Sequence, residues 1–282
     1  MSGRYCVVIP AYQAAKNIGE LVRRIKEQGL AVVVVDDGSR DATAALAAGA
    51  GALVISHLRN EGKGRALRTG FDHVVRERYD GVITMDGDGQ HDPAEIPELI
   101  RAGELQHAGI VLGNRMTNPA VAPPPGFASQ SETSGVGGTG APPPMGGRDV
   151  APLGAGPAPS GGGTGAPMPR ALPVGLHAGS MPPARRRTNA LMSSIVSALA
   201  GQPIPDSQCG FRLIRKEVLE DLPLRARRYE IETELLLKAA RRRWKIISVP
   251  IRSIYDNHAS HIQPLREGLR FIGIILRALF RR

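Results

Sequence analysis

The sequence predicts an α/β fold in which a mostly parallel sheet carries helices on both faces. Short apolar runs alternate with segments of helical period along the first part of the chain, and several of these runs end in acidic or glycine-rich stretches. Strands that alternate with helices at this spacing favour parallel pairing. Because such folds bind ligands beyond the carboxyl ends of their strands, the polar residues after each run are the candidate site.

Each element follows from its apolar pattern. Residues 5–10 form the first predicted strand, and Ile18, Leu21, Val22 and Ile25 then repeat with helical spacing. The further predicted strands are 30–35, 53–56, 82–85, 110–112 and 244–251. The further predicted helices are 41–48, 66–78, 93 to about 102, 185–199, 216–222 and 229 to about 243.

The fourth strand leads into Asp86-Gly87-Asp88-Gly89-Gln90. If strand geometry persisted, Asp86, Asp88 and Gln90 would project to one side, because side chains alternate along a strand. Two carboxylates and an amide oxygen suit Mg²⁺ or Mn²⁺, which keep positions for phosphate oxygens. We therefore predict a metal and diphosphate site on these three residues. The alternative is a turn rich in Asp and Gly that has no ligand.

Two other strand ends carry candidate ligands. Asp37, in Asp36-Asp37-Gly38-Ser39, is placed to accept hydrogen bonds from a ribose or a base, although the same residues also suit a turn before a helix. Lys63 lies between two glycines and is either a solvated loop cation or a partner for a diphosphate. Neither a P-loop nor a G-x-G-x-x-G motif is present.

The composition changes abruptly after Arg115. Residues 119–183 contain 15 Pro and 15 Gly with no apolar periodicity, so this segment cannot bury enough surface to offset its ordering entropy. We predict a disordered insertion over 116–184, between a first half of the domain at 1–115 and a second half at 185–264. A basic amphipathic helix follows at 265–282, with its apolar face formed by Leu265, Leu269, Ile272, Leu276 and Leu279.

Charge and composition limit the partners. The formal net charge is +10, which implies an anionic partner. Aromatic residues are only 4% of the chain and no helix-turn-helix or zinc-finger spacing occurs, which argues against nucleic acid. The two cysteines suggest a reducing compartment. We find no signal peptide and no apolar run long enough to span a membrane. The helix at 265–282 fits either core packing or a membrane interface.

These motifs, taken together, resemble glycosyltransferase family 2, the inverting nucleotide-sugar enzymes of GT-A fold. More narrowly, the chain is similar to the dolichyl-phosphate mannosyltransferase and polyprenyl-phosphate glycosyltransferase group. The matching stretches are residues 7–12, 34–39, 60–64, 86–93, 113–115, 206–213 and 229–234, and Val249-Pro250 with Tyr255 and Ser260. Their order and spacing make the resemblance specific.

The resemblance implies a role for each matching position. The nucleoside would be held by Pro10, Ala11, Tyr12 and Asp37. Asp86 and Asp88 would engage the diphosphate and the metal, with Gln90 as a further metal ligand. The lipid phosphate would be received by Arg115 and by one or more of Arg185, Arg186 and Arg187. The chain departs from the family pattern after Tyr12 and in the insertion itself.

Three further residues have two interpretations each. Asp206 is a candidate positioning carboxylate near the acceptor, or a base if the acceptor is a hydroxyl, and it would otherwise be a helix or turn cap. Glu232 either lines the site or is a first-turn glutamate favoured by the helix dipole. Arg212 either contacts substrate or is structural.

The predicted reaction moves one sugar from GDP-mannose or a UDP-hexose to a polyprenyl or dolichyl phosphate at the cytoplasmic membrane face. The nearest alternative is a family 2 enzyme with a hydroxyl acceptor. A processive polysaccharide synthase is disfavoured because Gln-x-x-Arg-Trp is absent, and a nucleotidyltransferase because the first loop is not glycine-rich. A non-catalytic nucleotide-sugar-binding protein is the alternative from another class.

Overall fold

The computed structural model describes residues 3–117 and 181–252, and these form a seven-stranded sheet flanked by helices. The strand order is β3-β2-β1-β4-β6-β5-β7. The strands are β1 Tyr5–Ala11, β2 Ala31–Asp36, β3 Leu53–Ser56, β4 Gly81–Thr84, β5 Ile110–Asn114, β6 Arg212–Arg215 and β7 Ile246–Pro250. The predicted fold class, a mostly parallel sheet between helices, is confirmed.

Seven α-helices lie in the described ranges. They are α1 Ile18–Lys26, α2 Thr43–Gly49, α3 Lys63–Arg76, α4 Ile96–Gln106, α5 Pro183–Ala200, α6 Lys216–Asp221 and α7 Glu230–Arg241. A 3-10 turn, Pro93–Glu95, precedes α4. Helix α3 begins three residues earlier than predicted, directly after Gly62, whose φ of 99° is a left-handed conformation that glycine adopts without strain. Lys63 is therefore the first residue of a helix rather than part of a loop.

The sheet is buried on both faces, which is why its strands are continuous apolar runs. Along β1, Val7 and Ile9 pack into one core cluster, while Cys6 and Val8 pack into the other. Parallel pairing of β1 with β2 and with β4 brings the carboxyl ends of these three strands to one edge. That edge is where the candidate residues lie.

Strand β6 was not predicted, and it is antiparallel to both of its neighbours, β4 and β5. The pairing places Arg212 opposite Thr84, so the segment before β6 crosses the end of β4. The hydroxyl of Thr84 donates a hydrogen bond of 2.7 Å to the carbonyl oxygen of Gly210. Residues 206–211 are thereby held beside the acidic stretch that follows β4.

Several predictions fall on residues outside the described ranges. The insertion predicted at 116–184 is described only at its two ends, where 181–184 include the first turn of α5. The predicted helix at 265–282, and the matching residues Tyr255 and Ser260, lie outside the description altogether. No helix within 3–117 or 181–252 is both long and apolar enough to cross a membrane.

Candidate active site

The acidic stretch after β4 is a turn and not a continuation of the strand. β4 ends at Thr84, and the Oδ1 atom of Asp88 accepts a 3.0 Å hydrogen bond from the backbone N–H of Gln90. The carbonyl oxygen of Asp88 accepts another, of 2.7 Å, from the side-chain amide of Asn17. The orientation of the two aspartates is thus set by the turn and by α1, so strand alternation does not govern it.

Lys63 links the acidic turn to helix α7. Its Nζ atom lies 2.6 Å from Oδ1 of Asp86 and 2.6 Å from Oε1 of Glu232. The side chain of Lys63 is 15% exposed, so water screens these pairs only weakly. The ring of Tyr229, itself exposed, has its centre 5.6 Å from the same ammonium nitrogen. The Lys63 ammonium is therefore in contact with the carboxylates of both Asp86 and Glu232.

These charges set the ionisation of the acidic pair. Burial alone would raise the pKa of Asp86, but the Lys63 ammonium and the other nearby positive groups together lower this pKa to about 2. Two effects raise the pKa of Asp88. The larger is burial by the surrounding protein, although the side chain reaches solvent, and the second is the negative charge of Asp86. Burial would lower the pKa of Lys63, whereas its two carboxylate partners raise it.

The residues of the turn suit a divalent cation that shares its ligands with a substrate. Asp86 and Asp88 supply hard oxygen atoms, and Gln90, which is half-buried, supplies an amide oxygen. Mutual repulsion between the two carboxylates, which raises the pKa of Asp88, favours a cation between them. Within the described ranges no group of three or more His, Cys, Asp or Glu residues could hold a metal. A cation here would therefore complete its shell with Gln90, water and phosphate oxygens.

Arg115 and Asp206 form a buried ion pair. The Nε and second terminal nitrogen of Arg115 donate to the two carboxylate oxygens of Asp206 at 2.8 and 3.0 Å, and the backbone N–H of Arg115 adds a third bond of 3.1 Å. Asp206 is 0% exposed. Burial would raise its pKa, but Arg115 outweighs burial and lowers it. Asp206 is thus an anion whose two oxygens are both occupied.

Arg212, the first residue of β6, is 2% exposed. Its guanidinium donates to the carbonyl oxygens of Cys209, Ser207 and Glu232 at 2.6, 2.8 and 3.1 Å. A second contact of 3.5 Å joins it to the carboxylate of Glu232. Arg212 therefore ties the segment before β6 to helix α7, and its guanidinium does not face solvent.

The carboxylate of Asp37 is engaged within the protein. It accepts hydrogen bonds from the backbone N–H groups of Glu61 and Gly62 at 3.0 and 2.7 Å. The Nδ1 atom of His57 lies 2.7 Å from it, while Nε2 of the same ring is 3.0 Å from the hydroxyl of Thr69. Asp37 thereby holds the loop that leads to Lys63.

The remaining predicted residues lie around the same edge. Pro10 and Ala11 close β1, and the backbone N–H of Asp37 donates a 2.8 Å bond to the carbonyl oxygen of Ala11. Tyr12, the next residue, is 47% exposed. On the other side, Arg186 donates a 3.1 Å bond to the carbonyl oxygen of Met116, and Arg187 is exposed.

Residues 6–142 match the family model described as glycosyl transferase family 2. The chain carries a family 2 glycosyltransferase domain. Among its relatives, a UDP-N-acetylglucosamine–dolichyl-phosphate N-acetylglucosaminyltransferase of Methanococcus voltae is 25% identical over 273 residues, which is 90% of this chain and 86% of that protein. The polyprenol monophosphomannose synthase of Mycolicibacterium smegmatis is 34% identical over 120 residues, which is 40% of this chain and 45% of that protein.

Solved structures share the glycosyltransferase fold. The crystal structure of glucosyl-3-phosphoglycerate synthase from Mycobacterium tuberculosis superposes with a TM-score of 0.57 and 18% identity. The match covers 98% of this chain and 79% of the synthase chain. Another structure of that synthase contains Mn²⁺, UDP and glucosyl-3-phosphoglycerate. At this identity the likeness supports the fold alone. The resemblance to family 2 and to its polyprenyl-phosphate group is confirmed by the family model and the relatives, and the chain is a glycosyltransferase.

Three residues near this candidate site, His91, His57 and Gly210, had no assigned role in the sequence, whereas Arg185 was predicted only as a ligand of the acceptor phosphate. His91, 3% exposed, has Nε2 4.0 Å from Asp86, and its Nδ1 has no hydrogen-bond partner in the described part of the chain. Burial lowers its pKa to about 4, so the ring is neutral at physiological pH. His57 is the ring partner of Asp37, and Arg185 is the arginine whose charge acts on Asp88. Gly210 faces the carboxylate of Asp86. The two residues are far apart in the sequence, so no local pattern indicates this contact.

Proposed function

We propose that this glycosyltransferase moves a single sugar, with inversion, from a nucleotide sugar to a polyprenyl phosphate at the cytoplasmic face of a membrane, in a metal-dependent reaction. The named activities of the relatives support this proposal. GDP-mannose and UDP-hexoses are the donors to test, because the described contacts do not select a base or a sugar.

The choice of a phosphate acceptor depends on one observation, which is that Asp206 is buried and paired with Arg115. A hydroxyl acceptor requires a general base, whereas a phosphate monoester brings a nucleophilic oxygen that is already anionic. Asp206 is fully buried, and Arg115 occupies both of its oxygens. Glu232 is paired with Lys63 and Arg212, and the lowered pKa of His91 makes it a weak base. These described side chains suit an acceptor that needs no deprotonation.

The chain's own residues would then bind and position the two substrates. We propose that Asp86, Asp88 and Gln90 hold Mg²⁺ or Mn²⁺, which when bound neutralises the departing nucleoside diphosphate. Lys63 would contribute a further positive charge beside the diphosphate. Pro10, Ala11, Tyr12 and the loop held by Asp37 would form the nucleoside side. Arg115 and the arginines at the start of α5 would set the electrostatic field for the acceptor phosphate.

We propose that Arg212 acts structurally in this reaction. Its hydrogen bonds to Ser207, Cys209 and Glu232 hold the segment before β6 and the carboxylate that orients Lys63. Glu232 is then a positioning residue that acts through Lys63. Arg115 and Asp206 together position the end of β5, and Asp206 is a positioning carboxylate.

Transfer of label from nucleotide sugars to a synthetic polyprenyl phosphate tests the proposal. Purified protein is incubated with labelled GDP-mannose, UDP-glucose or UDP-N-acetylglucosamine, with Mg²⁺, Mn²⁺ or EDTA. We expect metal-dependent label in an organic-extractable product that mild acid releases, because the new linkage is a glycosyl phosphate. Label confined to water-soluble glycosides would overturn the lipid acceptor and favour a hydroxyl acceptor. An undiminished rate in EDTA would overturn the role of the metal.

A further inference from the structure

Helix α5 exposes two large apolar side chains as well as burying others. Its buried side includes Val196 at 0% exposure, which packs in a core cluster with Leu199, and the polar residues Asn189 and Ser193 at 8% and 2%. Ser193 accepts a 2.9 Å hydrogen bond from the backbone N–H of Ser207 and so anchors the helix to the segment before β6. Its outward side instead carries Leu191 at 64% exposure and Ile195 at 36%. Val196 and Ser193 thus hold the helix in place, while Leu191 and Ile195 face solvent.

Core packing accounts for Val196 and Leu199 but not for Leu191 and Ile195. A surface helix ordinarily turns its apolar stripe toward the core. Leu191 and Ile195 are four residues apart, so they lie one turn apart on the same side, and Ala190 and Ala198 are exposed beside them. Single exposed leucines are common on soluble proteins, but two large apolar residues one turn apart on the same exposed side of a helix favour a contact surface.

The same helix begins with three successive arginines. Arg186 and Arg187 are exposed, and Arg187 lies one turn before Leu191 on the outward side. We call Arg187, Leu191 and Ile195 the α5 face. Basic residues next to exposed leucine and isoleucine are typical of helices that lie in the headgroup region of anionic bilayers. A net charge of +10 adds a general attraction to such a surface.

We propose that the α5 face docks on an anionic phospholipid bilayer. This inference rests on the proposed function, because a polyprenyl phosphate presents its phosphate at the bilayer surface. Arg186 at the start of α5 bonds to Met116, next to Arg115, so docking would hold the acceptor side of the site at the headgroups. A second copy of the chain fits less well, since a two-fold interface through this face would bring its arginines together.

Vesicle binding by the full chain tests the proposal. Wild type is sedimented with vesicles of phosphatidylcholine and phosphatidylglycerol in equal parts, and with vesicles of phosphatidylcholine alone. We expect binding to the anionic vesicles that salt weakens. Leu191→Glu should reduce the partition coefficient roughly tenfold or more, because it places a charge where an apolar group enters the membrane. Leu105→Glu, at a leucine of 68% exposure at the end of α4, is the matched control and should bind as wild type does.

A second measurement separates this inference from the proposed function. Transfer to a short-chain, water-soluble polyprenyl phosphate should be equal in wild type, Leu191→Glu and Leu105→Glu, with unchanged melting temperatures. Equal vesicle binding by Leu191→Glu and wild type would overturn the α5 face as the contact surface. A loss of self-association in Leu191→Glu without a change in vesicle binding would assign the face to a second copy and also overturn the proposal. Vesicle binding without sugar transfer would overturn only the proposed function.

Discussion

The Lys63 ammonium lies 2.6 Å from the Asp86 carboxylate, and this contact joins the first residue of α3 to the acidic turn after β4. Glu232 approaches the same ammonium from the other side at 2.6 Å. One cation therefore neutralises two carboxylates that come from distant parts of the chain. We therefore propose a positioning role for Lys63, which its place between two glycines did not reveal.

Replacing Lys63 should impair both the site and the fold. In Lys63→Met the carboxylates of Asp86 and Glu232 lose their shared counter-ion, and removing one member of a buried charge pair costs about 3 kcal/mol. We expect kcat/KM to fall about a hundredfold, and urea unfolding to report the lost stability. Lys216→Met, which removes a peripheral lysine, is the control. Unchanged kinetics in Lys63→Met would contradict the positioning role.

Gly210 should tolerate no side chain. A Cβ atom at this position would lie 2.4 Å from Oδ2 of Asp86, so the carboxylate would have to move. Gly210→Ala should weaken Mn²⁺ binding, measured by electron paramagnetic resonance in the presence of UDP or GDP, and should lower turnover. Gly49→Ala is the matched control, because nothing lies within 4 Å of its Cβ position. Normal Mn²⁺ affinity in Gly210→Ala would show that Asp86 is not a ligand.

Asp88→Asn should abolish turnover and leave the fold intact. The side chain is exposed, and an asparagine oxygen can still accept the hydrogen bond from Gln90, so the turn is preserved. Loss of the negative charge removes a ligand that a divalent cation needs. Circular dichroism should show an unchanged melting temperature while Mn²⁺ binding is lost. Substantial activity in this variant would place the metal elsewhere.

Two arginine–carboxylate pairs of similar geometry should differ sharply in their effect on stability. Arg115→Met leaves Asp206 buried without its partner, which costs about 3–5 kcal/mol. Arg101 pairs with Glu98 through bonds of 2.9 and 2.6 Å, but both side chains are exposed, and Arg101→Met should cost less than about 1 kcal/mol. Chemical denaturation of the two variants measures the difference. An equal loss of unfolding free energy in Arg115→Met and Arg101→Met would mean that the Asp206 carboxylate is solvated.

Glu95 should make stability depend on pH. Burial raises the pKa of this carboxyl to about 7, from 4.5, although its Oε1 atom accepts a 2.7 Å hydrogen bond from the backbone N–H of Arg252. The folded state therefore binds the proton more tightly than the unfolded state, and the contribution of Glu95 to stability falls as pH rises from 4.5 through 7.

The Glu95→Gln variant tests this dependence. The free energy of unfolding of wild type minus that of Glu95→Gln should decrease over this pH range. A constant difference for Glu95→Gln would show that its carboxyl is not protonated near neutral pH.

The sequence alone predicted the fold class and named most of the residues that lie at the candidate site. Alternating apolar runs identified β1 to β5 and β7, because strands buried on both faces are continuous apolar stretches with a local signature. The acidic turn after β4 was recognisable because its residue types and spacing suit a cation. The order of the motifs then indicated family 2, which the family model matches.

Only the tertiary structure decided how these residues are paired. Strand β6 is four residues long and antiparallel between β4 and β5, and no local periodicity specifies which strands it joins. The partners of Lys63, Arg115 and Arg212 are equally invisible in sequence, since an ion pair depends on distances between segments up to 169 residues apart. The sequence thus determined which chemistry is available, whereas long-range packing determined which groups are left open to substrates and which neutralise one another.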